Sequence, residues 1–335
     1  MNHHISVADT TRPAALFILA LLGLATVRAA MASVGYPSHV VKLLCWSSAG
    51  APLDIMMRQV GRQLNGIFGQ PFIVENRPGG EGAVAMSAVM NQPADGYTIL
   101  STTSSMSFAM ATGEIQYGPD DFTVLPALQL EPSAIAVPAD SPLKTMKQFM
   151  DYIHDNSDKM SVGGFSSAGF HQYVFYRLQQ VGKFKAIWVP FRGGQDAALA
   201  LISGVINAAV MTPSSAIAQI QHGDIRLLGI SSTKRSEYFP DVPTFREQGY
   251  DIVESIWRGV MVKKDTPRQI VDALMSATEK MKQSKDWQDY SRLTLQSPAD
   301  ISLDDMQKQV RNEVIADRAF LDSSGLRNDL PRDQK

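Results

Sequence analysis

Cysteine is almost missing from this chain: Cys45 stands alone among 335 residues. No internal disulfide can form, so no disulfide framework holds the fold. Zinc and iron–sulfur centres built on several thiolates are excluded by the same count. Charge is also scarce, at 19% of residues, and balanced, with 31 Lys and Arg against 33 Asp and Glu. A nucleic-acid protein usually carries a marked basic excess, so no nucleic-acid partner is expected. Histidine is sparse. Beyond residue 32 only His39, His154, His171 and His222 remain, with no His-x-x-x-His or Glu-x-x-His pair among them. No metal site follows from such spacing. There is no Gly-x-x-x-x-Gly-Lys-Ser/Thr loop, and Gly79-Gly80-Glu81-Gly82 lacks the spacing of a dinucleotide fingerprint, so no cofactor is expected. What the chain does have is 44% hydrophobic residues, enough for substantial cores, and a length that suits two domains.

Only one long apolar run exists, Ala14 to Val27, preceded by Arg12. It matches a signal-peptide apolar core and is short for a spanning helix, which needs about 20 residues. Ala30-Met31-Ala32 then supplies the small-x-small pattern of a cleavage site, with Val27-Arg28-Ala29 as a second one. Export with cleavage after Ala32 is expected, leaving a soluble chain without a membrane span.

Strand and helix patterns alternate from there. Val40 to Trp46 reads as a buried strand. Leu53, Met56, Met57, Val60, Leu64 and Ile67 then recur at the spacing of one helix face. Phe72-Ile73-Val74 opens a second strand, Ala83 to Asn91 a helix, and Tyr97 to Leu100 a third strand. The alternation resumes at Ala134 and runs to about Trp257, after which Pro267 to Leu321 is mostly helical. Such alternation predicts an α/β fold with two mainly parallel sheets. The helical tail has no sheet of its own and is expected to pack on the first domain. The expected division is a signal peptide at 1–32, a first domain at 33–135 and 259–335, and a second at 136–258. Two crossovers, near 134–138 and 257–262, join them as a hinge. The last residues, from Leu330, read as a polar tail.

Enzyme motifs fail. Gly164-Phe165-Ser166-Ser167-Ala168 is a broken nucleophile elbow, with alanine where the tight strand-to-helix turn needs glycine. His171 follows on the same helix start rather than from a distant segment. What remains is a pair of loop-to-helix turns rich in small residues, Ser47 to Leu53 and Gly163 to Gly169. A helix N-terminus offers free N–H groups and partial positive charge, and small residues let an anion approach the backbone. Ordinary helix capping by Ser47, Ser48, Ser166 and Ser167 explains the same composition, and these physical arguments alone leave the two readings even. Met106, Phe108 and Met110 alternate and fit either a cleft edge or a core.

Val74-Glu75-Asn76-Arg77-Pro78-Gly79-Gly80-Glu81-Gly82 resembles the "VENRPGAGG" stretch of the Bug family, the solute-binding proteins of tripartite tricarboxylate transporters. Ala94 to Leu100 resembles "PDGYTLL", and Val189-Pro190-Phe191-Arg192-Gly193 resembles "VPYRG". Lys234 to Thr244 is similar to "KRSPALPDVPT", and Ser255 to Gly259 to "SSWFG". The resemblance covers nearly everything after Tyr36. It implies a two-domain, periplasmic-binding-protein-like Venus-flytrap that holds an organic acid and delivers it to a membrane permease. A monomer is expected. The same cleft could instead serve a sensor that reports to a membrane signalling partner, or an exported carboxylic-acid hydrolase.

Two family loops that hold the carboxylate fall on Ala49 to Asp54 and on Gly163 to Gln172. Asp54, Arg58 and His171 match their family positions. The ligand-binding residues expected are therefore Ser48, Ala49, Gly50, Leu53 and Asp54 in the first loop, and Gly164, Phe165, Ser166, Ser167, Ala168 and His171 in the second. Thr102, Ser104, Arg192 and Thr212 complete the set. The departures point one way. Ala51, Pro52 and Leu53 replace Gly-Gly-Thr, and Pro52 removes a backbone donor. Ser167-Ala168 replaces Gly-Ser, and Trp46, Phe165 and Phe170 add aromatic surface. A carboxylate with an apolar or aromatic body is expected rather than a citrate-like acid.

Overall fold

The computed structural model describes residues 35–157 and 159–326. The expected signal peptide and the polar tail lie outside the described residues. The apolar run at the start forms β1 (Val41–Cys45), which pairs in parallel with β2 (Phe72–Asn76) and β3 (Thr98–Thr103). Between β1 and β2 runs α1 (Pro52–Phe68), whose Leu53, Met56, Met57, Val60 and Leu64 are buried. Each fully buried side chain of this size contributes ~1.5–3 kcal/mol, so this one stripe is enough to fix the helix against the sheet. Gly61 sets the distance: a Cβ there would lie 2.8 Å from the Phe72 carbonyl oxygen. α2 (Ala83–Met90) links β2 to β3, and α3 (Met106–Thr112) follows β3. Met106, Phe108 and Met110 lie on α3 and are buried, which resolves their two readings in favour of core packing.

The chain continues through β4 (Phe122–Val124) and β5 (Gln129–Pro132). β6 (Ala134–Pro138), α4 (Met146–Asp155), β7 (Ser161–Phe165), α5 (Phe170–Gly182) and β8 (Ile187–Phe191) come next. α6 (Gly194–Ile202), β9 (Ala208–Met211), α7 (Ile217–His222) and β10 (Ile225–Ile230) follow. The last elements are β11 (Ser255–Lys263), α8 (Arg268–Lys282), α9 (Lys285–Leu293), β12 (Ser297–Pro298) and α10 (Leu303–Ser323).

These strands make two sheets. One runs β12-β5-β11-β3-β1-β2 with β4 beside β11, and the other runs β10-β6-β9-β7-β8. Both have helices on their faces, and the architecture is α/β and periplasmic-binding-protein-like. The sheets are mixed rather than mainly parallel. Each strand–helix–strand unit gives a parallel pair, as in β1–β2 and β7–β8. The strands that carry the chain between sheets break that pattern: β11 is antiparallel to β3, β4 and β5, and β6 is antiparallel to β9 and β10. The helical tail also contributes a strand, because β12 pairs with β5.

Both connections between the sheets pass one point. Ser133, between β5 and β6, donates its N–H to Ser231 Oγ at 2.8 Å. Ser231, just past β10, donates its own N–H to the Ser133 carbonyl at 2.9 Å. Glu254, just before β11, donates to the Ser231 carbonyl at 2.8 Å. Beside this point lies a buried ion pair, Arg258 to Glu131 at 2.8 Å. Glu131 also accepts from the Ser214 N–H at 2.6 Å, from Ser214 Oγ at 2.7 Å and from Gln296 Nε2 at 2.9 Å. One carboxylate from the larger sheet thus holds the turn that follows β9 of the smaller one.

Candidate functional site

A cleft of about 680 Å³ lies between the two sheets. That volume suits a small organic molecule. Three helix starts open onto it. At α1, the Ala51 N–H is turned back to the Ser48 carbonyl and the Gly50 N–H to Asp54, while Pro52 has none to give. Leu53 begins the donors that remain. At α5, the Ala168 N–H is taken by Gln172 Oε1 at 2.6 Å. At α6, Gly193, Gly194, Gln195 and Asp196 line the cleft. A Cβ at Gly194 would lie 2.4 Å from Ser215 Oγ, so glycine lets this helix start approach the turn beneath it.

The walls are largely apolar. Trp46, Leu53 and Pro78 face Phe165, Phe191 and Ile256 around the cleft. The rings of Trp46 and Phe165 stand 6.3 Å apart, centre to centre.

Polar side chains also line the cleft, and three of them are unusual. Among the described residues, eight buried side-chain atoms have no hydrogen-bond partner, and three of them belong to residues lining this cleft: Trp46 Nε1, Glu81 Oε2 and His171 Nε2. Buried polar atoms are normally paired, so such a cluster marks a place where a ligand completes the bonding. His171 accepts a long bond, 3.4 Å, from the Phe165 N–H at Nδ1. That assigns the ring proton to Nε2, leaving an unpartnered donor. Burial, and secondarily the nearby Arg258 cation, lowers the His171 pKa to about 3. The ring is neutral at ordinary pH and is a poor general base. Arg258 lies behind it, buried, and its described hydrogen bonds all leave from Nη1. Glu81 approaches from the opposite loop. Burial pushes its carboxyl up to about 7, against a hydrogen bond from Ser166 that favours the charged form.

The cleft brings together Ser48, Ala49, Leu53, Phe165, Ser166, His171, Arg192 and Thr212 of the expected residues. Arg192 is exposed at the rim. Thr212 shares its hydroxyl with Ser215 at 3.0 Å.

Seven others lie outside the lining, each for a visible reason. Asp54 is 2% exposed and fully engaged. It accepts from the Gly50 N–H at 2.9 Å, Arg58 Nε at 3.0 Å and Asn76 Nδ2 at 2.8 Å. Burial raises its pKa, but these bonds outweigh that and hold it below its usual value. Asp54 therefore shapes its loop, and Gly50, with its N–H committed and φ at 83°, belongs to the same knot. Thr102 is on the wrong face of β3, and Ser104, in the turn just past it, lines the neighbouring cavity. Side chains alternate, and Thr103 and Ser105 reach the cleft instead. Gly164 packs too tightly to expose anything: a Cβ would meet the Trp188 ring at 2.5 Å. Ser167 points to solvent, and Ala168 is buried beneath the turn with φ at 55°.

Sequence reasoning missed Arg258, Glu81 and the α6 start. Arg258 falls within the expected 257–262 crossover, yet Ile256 and Arg258 alternate toward the cleft while Trp257 turns away and donates to Glu313 at 2.8 Å. Glu81 had a signal in plain view, a carboxylate inside an otherwise glycine turn.

A family model described as "Tripartite tricarboxylate transporter family receptor" matches residues 56–325. A protein of Cupriavidus necator, named for its place in the gbd 5' region, is 30% identical over 78% of this chain and 80% of its own length. A TctC solute-binding protein from Polaromonas, solved without ligand, is 25% identical and superposes with a TM-score of 0.72, covering 86% of this chain and 99% of that one. A Rhodopseudomonas palustris protein solved with adipate is 23% identical with a TM-score of 0.78, covering 87% and 98%. Among the described residues, no helix is long and apolar enough to cross a membrane.

Proposed function

The chain belongs to the tripartite tricarboxylate transporter receptor family, and from that membership we propose that it is an exported binding protein for a small organic carboxylate with an apolar or aromatic body. It holds that ligand between its two sheets and hands it to a membrane permease. The observation that carries the carboxylate reading is His171. Its neutral ring presents an unpartnered Nε2–H to the cleft, with the Arg258 guanidinium behind it and three helix starts around it. Such donors suit a carboxylate, and each charge-assisted bond adds ~1.5–3 kcal/mol net. Three of them reach the roughly 8 kcal/mol of a micromolar ligand.

The apolar body is supported by Trp46, Phe165 and Phe191, which give the cleft three aromatic surfaces for a hydrocarbon or ring to pack on. The protein solved with adipate, at 23% identity, supports the fold. The ligand class therefore rests on the residues of the cleft. The larger sheet draws its strands from 41–132 and 255–298 and the smaller from 134–230, and these two serve as lobes with Ser133, Ser231 and Glu254 at their hinge. A ligand that touches both lobes favours their closed arrangement by its differential affinity for it. The low pKa of His171 argues against that ring as a general base, since a ring neutral down to about 3 takes up protons poorly.

Thermal unfolding of residues 33–335 against a panel of carboxylic acids tests the reading. The panel spans citrate, aliphatic diacids, acidic amino acids and aromatic mono- and diacids. A ligand at 100 times its Kd adds about 2.7 kcal/mol, a shift of several degrees. An aromatic or apolar acid that raises the melting temperature and is recovered unchanged is the expected result. Binding of citrate-like acids alone would overturn the apolar-body assignment, and no shift with any acid would overturn the carboxylate assignment.

A further inference from the structure

We propose that the bound acid carries a hydrogen-bond donor of its own, a hydroxyl or ammonium substituent, and that Glu81 is the residue that selects it. This rests on the carboxylate reading and sharpens it to hydroxy- or amino-substituted acids.

The cleft holds three unpartnered buried polar atoms, and they are not alike. Trp46 Nε1 and His171 Nε2 are donors, whereas Glu81 Oε2 is an acceptor when the carboxyl is ionised. A plain carboxylate with a hydrocarbon body offers acceptors only. It can satisfy the indole and the imidazole, but it leaves an ionised Glu81 Oε2 facing either apolar surface or a second negative group. Both are costly in a water-poor site, and with such a ligand only a proton on Glu81 would relieve this. A ligand hydroxyl or ammonium removes that cost, and the ammonium adds charge complementarity.

The placement of Glu81 supports a dedicated role. It stands between Gly80 and Gly82 in the turn before α2, with φ at 51°. This left-handed conformation favours glycine, and a glutamate there is strained. The strain places a carboxylate against the α5 start: a Cβ on Gly169 would lie 3.7 Å from both Glu81 Oε2 and Ser166 Oγ. Glu81 comes from the part of the chain that builds the larger sheet, whereas Ser166 and Gly169 come from the part that builds the smaller one. A ligand group bonded to Glu81 therefore sits where the two parts meet.

Two matched series separate this from the carboxylate reading. One is 3-phenylpropanoate, 3-phenyllactate and phenylalanine, and the other is succinate, malate and aspartate. Within each series the carbon skeleton is constant and only the α-substituent changes from hydrogen to hydroxyl to ammonium. Titration calorimetry on residues 33–335 is expected to show at least about tenfold tighter binding of a substituted acid over its parent, in whichever skeleton binds. Glu81→Ala should erase that preference by tightening the parent acid, which no longer faces an unpaired carboxylate. A parent acid that binds as tightly as its substituted partners overturns the inference while leaving the carboxylate reading intact. So does a preference that survives in Glu81→Ala. Failure of every acid in both series overturns the two together. Should Glu81→Ala fail to fold, Glu81→Gln serves: it keeps the shape, removes the charge, and is expected to lose the ammonium preference. Retention of that preference counts against the proposal.

Discussion

His171 shows at the scale of one residue how a site can be built on absence. Its Nδ1 is committed to the Phe165 N–H, and its Nε2 has no partner. His171→Ala should weaken carboxylate binding by roughly 10- to 100-fold, the loss of one bond to a charged acceptor. Titration calorimetry on the folded variant reads this, and unchanged affinity would remove His171 from the ligand. Because the pKa is about 3, wild-type affinity should carry no His171 titration between pH 5 and 8. The histidine was legible in the sequence from its position in the second loop, but its free nitrogen was not. Which residues of a loop reach the cleft depends on the strand register, and both faces of β3 are buried. Composition therefore could not separate Thr103 and Ser105, which line the cleft, from Thr102 and Ser104, which do not. Asp54 illustrates the opposite case. It matches a family position, yet all its described bonds go to its own loop and to Arg58 and Asn76.

Elements place these residues, and the most consequential is β11. Its segment was legible in the sequence as a crossover between the two domains. That it runs antiparallel between β3 and β5, and so carries Arg258 to the cleft floor, depends on partners about 125 to 155 residues away. Local periodicity cannot reach that far. The same strand ties the two sheets through Glu131, whose carboxylate has four donors. Glu131→Ala would strand the Arg258 cation among buried groups and free the Ser214 turn. The expected cost is about 3–5 kcal/mol, the usual result of breaking a buried pair from one side. Urea denaturation should show it as a lower midpoint with an unchanged slope. A loss below about 1 kcal/mol would mean that water replaces the carboxylate, and that the pair is less enclosed than its 5% and 1% exposures indicate.

Across the whole molecule, α10 joins parts of the chain that the two sheets keep apart. Phe320 contacts Phe108 of α3 and both Tyr173 and Tyr176 of α5, with ring centres 4.9 to 6.1 Å apart. Beside this aromatic seam a cavity of about 370 Å³ gathers Glu254, Glu313 and Asp317. Burial first, then mutual repulsion, pushes Asp317 up to about 8 and Glu313 up to about 7, and burial also raises Glu254. The cations facing them are Arg177 of α5, paired to Glu254 at 2.8 Å, and Lys308 of α10, while Asp305 adds a further carboxylate. In the unfolded chain the three acids return to ordinary values near 4. Between about pH 4 and pH 8 the folded protein therefore holds more protons than the unfolded one, and its stability falls as pH rises through that window. The carboxylates held low, Asp54 among them, lose their contribution only at more acid pH. The melting temperature should accordingly decline from pH 5 to pH 8.5. Asp317→Asn should flatten the decline, because the amide keeps a hydrogen bond with the Ser107 hydroxyl while removing the ionisation. Calorimetric scans of the two proteins across this range decide it. A melting temperature that rises toward pH 8.5 would mean that the seam takes up water and ionises freely, so that α10 is held by its aromatic contacts alone.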